Sequence, residues 1–345
     1  MSAQDNAGAP LAGLKVVELH AIGPVPFTGM MFGNLGAELV RVSPPADPSL
    51  GIGIDNKYDV FNNRKTPKSI DLKSAAGRAE LLELLATADV MTEGFRPGVL
   101  ERLGLAPAEL ARTHPKLVIG RLSGWGNEGP YAARAGHDIN YLGLSGILNA
   151  IGKDEPIVPL NVVADFGGGA MTLLVGVLAK LVQRSITGRG GVASTSILAG
   201  TIGLSPMFHG MIGAGRWNLE RCNNLLDGKL PFYRVYRAGD GRFVSVGALE
   251  AKFYAELLRM LGLEGEIDPA RQFDESSFAA TSARFAEVFA SKSRDEWASL
   301  AEQCDACVGP VLDFAEAAAH PHNRANGWYV SDPFPHPRQV IDFPA

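Results

Sequence analysis

Two hydrophobic periodicities alternate along the first third of this chain, and that alternation limits the possible folds more than any other feature. Short apolar runs rich in β-branched residues read as strands at Lys15–Leu19, Glu38–Val42, Ser69–Leu72, Asp89–Thr92 and Leu117–Leu122. Helical pattern lies between them: Leu81, Leu84, Leu85 and Ala88 fall at i, i+3, i+4 and i+7, one apolar face of a helix. Strands alternating with helices predict an α/β fold: a large, open, Rossmann-like parallel sheet covered on both faces. In such sheets ligands gather at the carboxyl ends of the strands.

The chain of 345 residues exceeds one average domain, and a second, smaller α+β domain is expected. An almost wholly apolar helix, expected to be buried, runs from Phe166 to Arg184 and breaks at Gly188-Arg189-Gly190-Gly191. The uncharged run Val192–Gly215 is interrupted by Ser194, Ser196, Ser205, Pro206 and His209, so it reads as a buried helix pair and no membrane span is expected. Tyr233–Tyr236 and Phe243–Val246 flank Gly239-Asp240-Gly241, a hairpin signal, and helical pattern returns at Phe253–Leu261 and Thr281–Ala290. The expected division is a large domain over 1–195 completed by the tail 325–345, linker helices over 196–232, a small domain over 233–312 and a return linker over 313–324.

Apolar residues make up 46% and charged residues 20%, enough to bury a large core. A net charge of −5 argues against a nucleic-acid partner or a polybasic membrane surface, so an anionic ligand needs a local basic cluster. Cys304 and Cys307 form a lone Cys-x-x-Cys, and no second ligand pair follows, so no metal site is expected. Three cysteines in such a length suggest a reducing compartment. Met1–Pro10 lacks the basic and apolar regions of a signal peptide, which makes the cytoplasm the expected location.

Gly124-Trp125-Gly126-Asn127-Glu128-Gly129 satisfies the dinucleotide fingerprint in spelling only, because Pro130 and a polar stretch follow where a helix should open. It reads as a glycine-rich loop. Gly136-His137-Asp138-Ile139-Asn140-Tyr141 suits neither a core strand nor an amphipathic helix. Local capping by Asp138 or Asn140 explains it blandly; the chemical alternative is His137 as general base. Asp165-Phe166-Gly167-Gly168-Gly169-Ala170 runs into the apolar helix. An N-cap explains the aspartate, but three glycines in a first turn cost helix stability, about 1 kcal/mol each in a helix interior. Close approach of a ligand to bare backbone is the expected compensation.

These stretches, with Leu122-Ser123-Gly124-Trp125-Gly126, Leu14–Leu19, Ile22-Gly23-Pro24, Asn34–Glu38, Glu93–Gly98 and Val246–Glu250, resemble the alpha-methylacyl-CoA racemase branch of the class III CoA-transferase family. The resemblance covers nearly the whole chain. It implies an interlocked homodimer acting on acyl-CoA, with each site formed by the large domain of one subunit and the small domain of the other. His137 and Asp165 would be the two acid–base residues on opposite faces of the α-carbon. Glu250 from the partner chain would hydrogen-bond the histidine, and Asp138 would support it. Residue chemistry suits that reading: one group removes the proton beside the thioester carbonyl and a second returns it from the other face. The enolate charge would fall near the N–H groups of Asp165 and the glycines. No metal or organic cofactor is required, coenzyme A being part of the substrate.

For coenzyme A and substrate, the resemblance points to Ile22, Pro24, Asn63, Arg64, Lys65, Gly136, Ile139, Asn140, Tyr141, Gly167 and Gly168, with Arg102 a further phosphate candidate. Three departures stand out. Ser43-Pro44 occupies the place of a frequent arginine, Ser194 and Ala199 replace acidic residues common in the family, and the chain stops earlier than many relatives. The expected activity is inversion of a 2-methyl centre. The alternatives are a CoA-transferase using Asp165 as nucleophile and a catalytically silent acyl-CoA binder.

Overall fold

A computed structural model of the chain describes residues 8–46, 53–338, 341 and 343. Its largest feature is a six-stranded parallel sheet built from β1 (Lys15–Leu19), β2 (Glu38–Ser43), β3 (Thr66–Ser69), β4 (Val90–Glu93), β5 (Val118–Ser123) and β6 (Gly191–Ser196), in the order β3-β2-β1-β4-β5-β6. Successive residues along a strand point to opposite faces, and here both faces are buried. Val16, Val90 and Val118 pack into one cluster with Phe32, Leu174 and Val177; Val17, Met91 and Ile119 pack into another with Leu81, Leu85 and Leu100. A parallel sheet needs this double cover.

Helices α1 (Pro24–Asn34), α2 (Ala75–Leu85), α3 (Val99–Arg102), α4 (Pro107–Thr113), α5 (Asp138–Ser145), α6 (Ile147–Ala150), α7 (Met171–Thr187), α8 (Ile197–Ile202) and α9 (Pro206–Gly213) follow in chain order. Two compact units partition the chain. The described residues of the first come from the segments up to 148, from 158 to 206 and from 321 onward. The second, 149–157 with 207–320, holds the antiparallel sheet β7 (Tyr233–Arg237), β8 (Phe243–Gly247) and β9 (Val308–Pro310). With it are α10 (Ala251–Leu261), α11 (Phe278–Phe289), α12 (Arg294–Ala301) and α13 (Phe314–Ala319). Its core is aromatic: Phe232, Phe285, Phe289 and Trp297 are fully buried, and the Trp297 indole N–H donates to the Phe289 carbonyl at 2.9 Å. Back in the first unit, α14 (Pro321–Ala325) precedes the short strands β10 (Tyr329–Val330) and β11 (His336–Pro337).

Three expectations are corrected. The third strand occupies Thr66–Ser69 rather than Ser69–Leu72; it lies at the sheet edge, where Pro67 is tolerated. The run from Val192 opens as a strand, Gly191–Ser196 forming β6 at the opposite edge, and of the helix pair that follows only α8 is partly buried, through Ile197, Gly200 and Thr201, while α9 is not. The apolar helix is only half covered: Leu173, Leu174 and Val177 face inward while Val175, Val182 and Ile186 are exposed. The helical stretch Val162–Thr187 has the length and composition of a membrane span. In this fold it covers the sheet, with Val177 and Leu173 lying directly over Gly120 of β5. Arg184 ties its far end to Asp89 at 3.0 Å.

Candidate active site

Asp165 does not cap a helix. The helix opens three residues earlier, at Val162, with π geometry through Ala170, and continues as α7. The Phe166 N–H reaches back to the Asn161 carbonyl, five residues before it. Such wide turns are rare and recur at functional sites. This one is held from outside. Oδ1 of Asp138, a residue 7% exposed, accepts the N–H of Ala164 at 3.1 Å and of Asp165 at 2.8 Å. The other oxygen, Oδ2, is buried without a hydrogen-bond partner.

The three glycines have a different cause from the one expected. Gly168 and Gly169 are buried against α8: a Cβ on Gly168 would stand 2.6 Å from Oγ1 of Thr201, and one on Gly200 would stand 2.1 Å from the Gly168 carbonyl. The bare backbone lets two helices cross in contact. Gly168 is thus taken up by this helix contact, and the Asp165 amide already donates to Asp138. Gly167 is half-buried, with Leu204 over it.

His137 precedes α5 in extended conformation, its side chain exposed and its N–H donated to Oδ1 of Asn140 at 3.0 Å. Asn140 therefore acts as a local brace. Tyr141 was expected beside substrate; it is instead buried, its hydroxyl donating to the Gly136 carbonyl at 2.8 Å and its ring edge-on to Trp125 at 4.7 Å. A Cβ on Gly124 would collide with that hydroxyl. So the glycine-rich loop after β5 has a use: it admits Tyr141, which fixes the backbone immediately before His137. Ile139 remains exposed.

Around Asp165 the electrostatics favour the protonated carboxyl. Burial first, and then the neighbouring Asp138 charge, push its carboxyl up to about 6, while Asn161 and His137 pull it down. Burial also raises the Asp138 carboxyl. Burial, with the Asp165 charge added, pushes the Tyr141 hydroxyl up to about 12, and Arg96 opposes it. Arg96 is thus an exposed cation whose charge reaches the Tyr141 hydroxyl, and sequence reasoning left it without a role; the same holds for Asn161, whose amide donates to Asp165 Oδ2 at 3.5 Å. The only sequence signal for Arg96 was its place in Glu93–Gly98, a loop pinned by Glu93, which accepts the Phe95 N–H at 2.7 Å and the Arg121 guanidinium at 2.6 Å.

The expected coenzyme A loop comes close to this centre. Gly23 adopts φ +66°, and a side chain there would meet Asp165 Oδ2 at 3.4 Å. Ile22 is exposed beside it and Pro24 starts α1, buried. Phe27, Phe61 and Phe166 form a ring cluster with centroids 4.8–5.7 Å apart, which draws the segment carrying Asn63 and Arg64 toward Asp165. Asn63 and Arg64 are exposed. Lys65 is not available to a phosphate. Its side chain is 3% exposed and donates to both oxygens of Glu18 at 2.7 Å and to the Pro26 carbonyl at 2.9 Å. A buried cation needs such partners. Arg102 ends α3, exposed, with its guanidinium over Gly98.

Glu250 belongs to the second unit, at the N-cap position of α10. Its exposed side chain makes no capping hydrogen bond, so helix initiation does not explain it.

The description CoA-transferase family III fits residues 11–345. A mouse protein named alpha-methylacyl-CoA racemase is 42% identical over 337 residues, spanning 96% of this chain and 86% of its own length. A human protein of the same name is 40% identical, over 93% of this chain and 82% of its own. The crystal structure of a CaiB/BaiF family protein from Brucella suis is 26% identical with a TM-score of 0.81, covering 97% of this chain and 93% of that one.

Proposed function

This chain belongs to CoA-transferase family III, and on that premise we propose that it is a racemase inverting the 2-methyl centre of 2-methylacyl-CoA thioesters. The observation that carries the reading is the Asp165 carboxyl, held near pKa 6 within electrostatic range of His137 and beside the Ile22–Pro24 loop. A carboxyl held near 6 can serve as acid or base near neutral pH, and histidine is the residue type most used for the second such role. One removes the α-proton and the thioester oxygen takes up the charge; the other returns a proton from the opposite face. Both groups are side chains, and the proposed reaction uses no metal or organic cofactor.

The same reading includes a homodimer in which Glu250 of a second copy hydrogen-bonds His137. The exposed apolar side chains Val175, Val182 and Ile186 on α7 and Ile202 and Leu204 near α8 support an extensive protein contact. It also includes residence in a reducing compartment such as the cytoplasm, which the free thiols of Cys222, Cys304 and Cys307 support.

Incubation with a 2-methylacyl-CoA in heavy water tests the chemistry. Deuterium is expected at the α-carbon, with both epimers formed, and His137→Ala should abolish it. An unlabelled α-position combined with exchange of a free acid onto coenzyme A would instead assign a transferase with Asp165 as nucleophile. Light scattering at micromolar concentration tests assembly: an active monomer would rule the dimer out.

A further inference from the structure

We propose that Gln272 is a positioning residue for Glu250, clamping the turn that presents its carboxylate; the inference rests on the role given to Glu250 above. Strand β8 ends at Gly247 and α10 begins at Ala251, so Glu250 is reached through Ala248 and Leu249 alone. The Gln272 side chain donates from Nε2 to the Ala248 carbonyl at 3.1 Å and to the Leu249 carbonyl at 2.9 Å. Two carbonyl oxygens as neighbours require the NH₂ end of the amide there, so its orientation is fixed by chemistry.

Gln272 is 5% exposed. Burying so long a polar side chain costs rotamer entropy and desolvation, which its two hydrogen bonds must offset. The peptide N–H groups of the turn are tied as well: Gly247 donates to the Cys307 carbonyl at 2.9 Å, Ala248 to that of Phe232 at 2.9 Å and Leu249 to that of Gly247 at 3.0 Å. The segment that carries the clamp is itself rigidly placed. Asp268 accepts the Ala270 N–H at 2.9 Å, the Gln272 N–H reaches the Pro269 carbonyl at 3.2 Å, and the Phe273 ring meets the fully buried Phe232 edge-on at 5.2 Å. Phe232 is therefore shared: its carbonyl holds Ala248 and its ring supports the residue after Gln272.

Within this frame the Glu250 side chain alone is left exposed and makes no capping bond. A carboxylate that must meet an imidazole on another surface needs its backbone held to about half an ångström, and a two-bond clamp on the two preceding peptides supplies that. A purely structural amide would satisfy the same carbonyls, but its loss would lower stability without reporting on Glu250.

A double-mutant cycle in the full-length protein, with a 2-methylacyl-CoA as substrate, separates the two. Gln272→Met keeps the length and removes both bonds. It is expected to lower kcat about fivefold with KM held within about twofold, and to move the acidic limb of the pH–rate profile downward, as Glu250→Gln should. In the Glu250→Gln background the same substitution should cause no further loss. An equal fold-loss in both backgrounds overturns the proposal. Should Gln272→Met fold poorly, Gln272→Asn, whose amide falls one methylene short, is read in the same cycle. If Glu250→Gln alone leaves turnover and the acidic limb unchanged, the role of Glu250 itself fails, and that result is visible without any Gln272 variant.

Discussion

The Asp138 carboxylate holds the peptide of Asp165 through a 2.8 Å hydrogen bond while its charge raises the Asp165 carboxyl. One residue thus sets both the position and the protonation of its neighbour, and the two effects can be separated. Asp138→Asn keeps an oxygen for the amides of Ala164 and Asp165 and removes the charge. The Asp165 pKa should then fall below about 6. In the direction where Asp165 donates the proton, activity disappears as it ionises, so the alkaline limb of kcat should move to lower pH. An unmoved limb would leave burial as the sole cause of the raised pKa.

Asp165→Asn should abolish turnover and stabilise the fold. The folded-state pKa of about 6 lies above the ordinary 3.8, so the folded protein binds this proton more tightly than the unfolded chain. Stability linked to it is present below pH 3.8 and lost as pH rises through 6. Removing the ionisable group should raise Tm by about 2–4 °C at pH 7–8, with the gain shrinking as pH falls from 6 toward 4. Calorimetry at several pH values checks this.

Glu250→Gln should lower turnover while leaving assembly and CoA affinity intact. A carboxylate beside His137 would favour the charged imidazolium; the amide removes that effect. The acidic limb should therefore move to lower pH. Wild-type turnover with an unmoved limb would leave Glu250 no role beyond its place at the start of α10.

The Glu18–Lys65 pair predicts an asymmetry between single and double variants. Burial pushes the Glu18 carboxyl up and the Lys65 ammonium down, so each charge depends on the other. Lys65→Met strands a buried carboxylate and should cost about 3–5 kcal/mol. Adding Glu18→Gln should return much of that loss, as urea titration of both variants can show.

Gly200→Ala should destabilise although alanine is the better helix former by about 1 kcal/mol. Its Cβ would meet a backbone carbonyl at 2.1 Å, which cannot swing aside, a closer clash than that of Gly168→Ala with Oγ1 of Thr201 at 2.6 Å and its backbone N at 2.7 Å. Gly200→Ala should therefore lose more, about 1–3 kcal/mol.

Much of the fold was readable because β1, β2, β4 and β5 are apolar runs in the middle of a doubly covered sheet. The edges were not. β3 carries Pro67 and Lys68, and β6 is rich in Ser and Thr, so neither shows the continuous hydrophobicity of a central strand. His137 and Asp165 stood out because their neighbours suited no ordinary element, and the structure brings them within electrostatic reach. What surrounds them was hidden for a physical reason: the partners are distant in sequence. Lys65 meets Glu18 across 47 residues and Asp138 meets Asp165 across 27. The glycines after Asp165 answer to Thr201 and Gly200, whose helix crosses them.

The wide turns at Val162–Ala170 make the register of this helix unusually exposed to length mutations. Removing one residue between Asp165 and Met171 would leave an apolar segment fully able to form an ordinary α-helix. Each residue in such a helix turns the chain by about 100°, so the carboxylate would swing away from Asp138 and the Gly23 loop while α7 stayed on its sheet. Substitutions here are graded in effect, but a single-codon deletion is all or nothing.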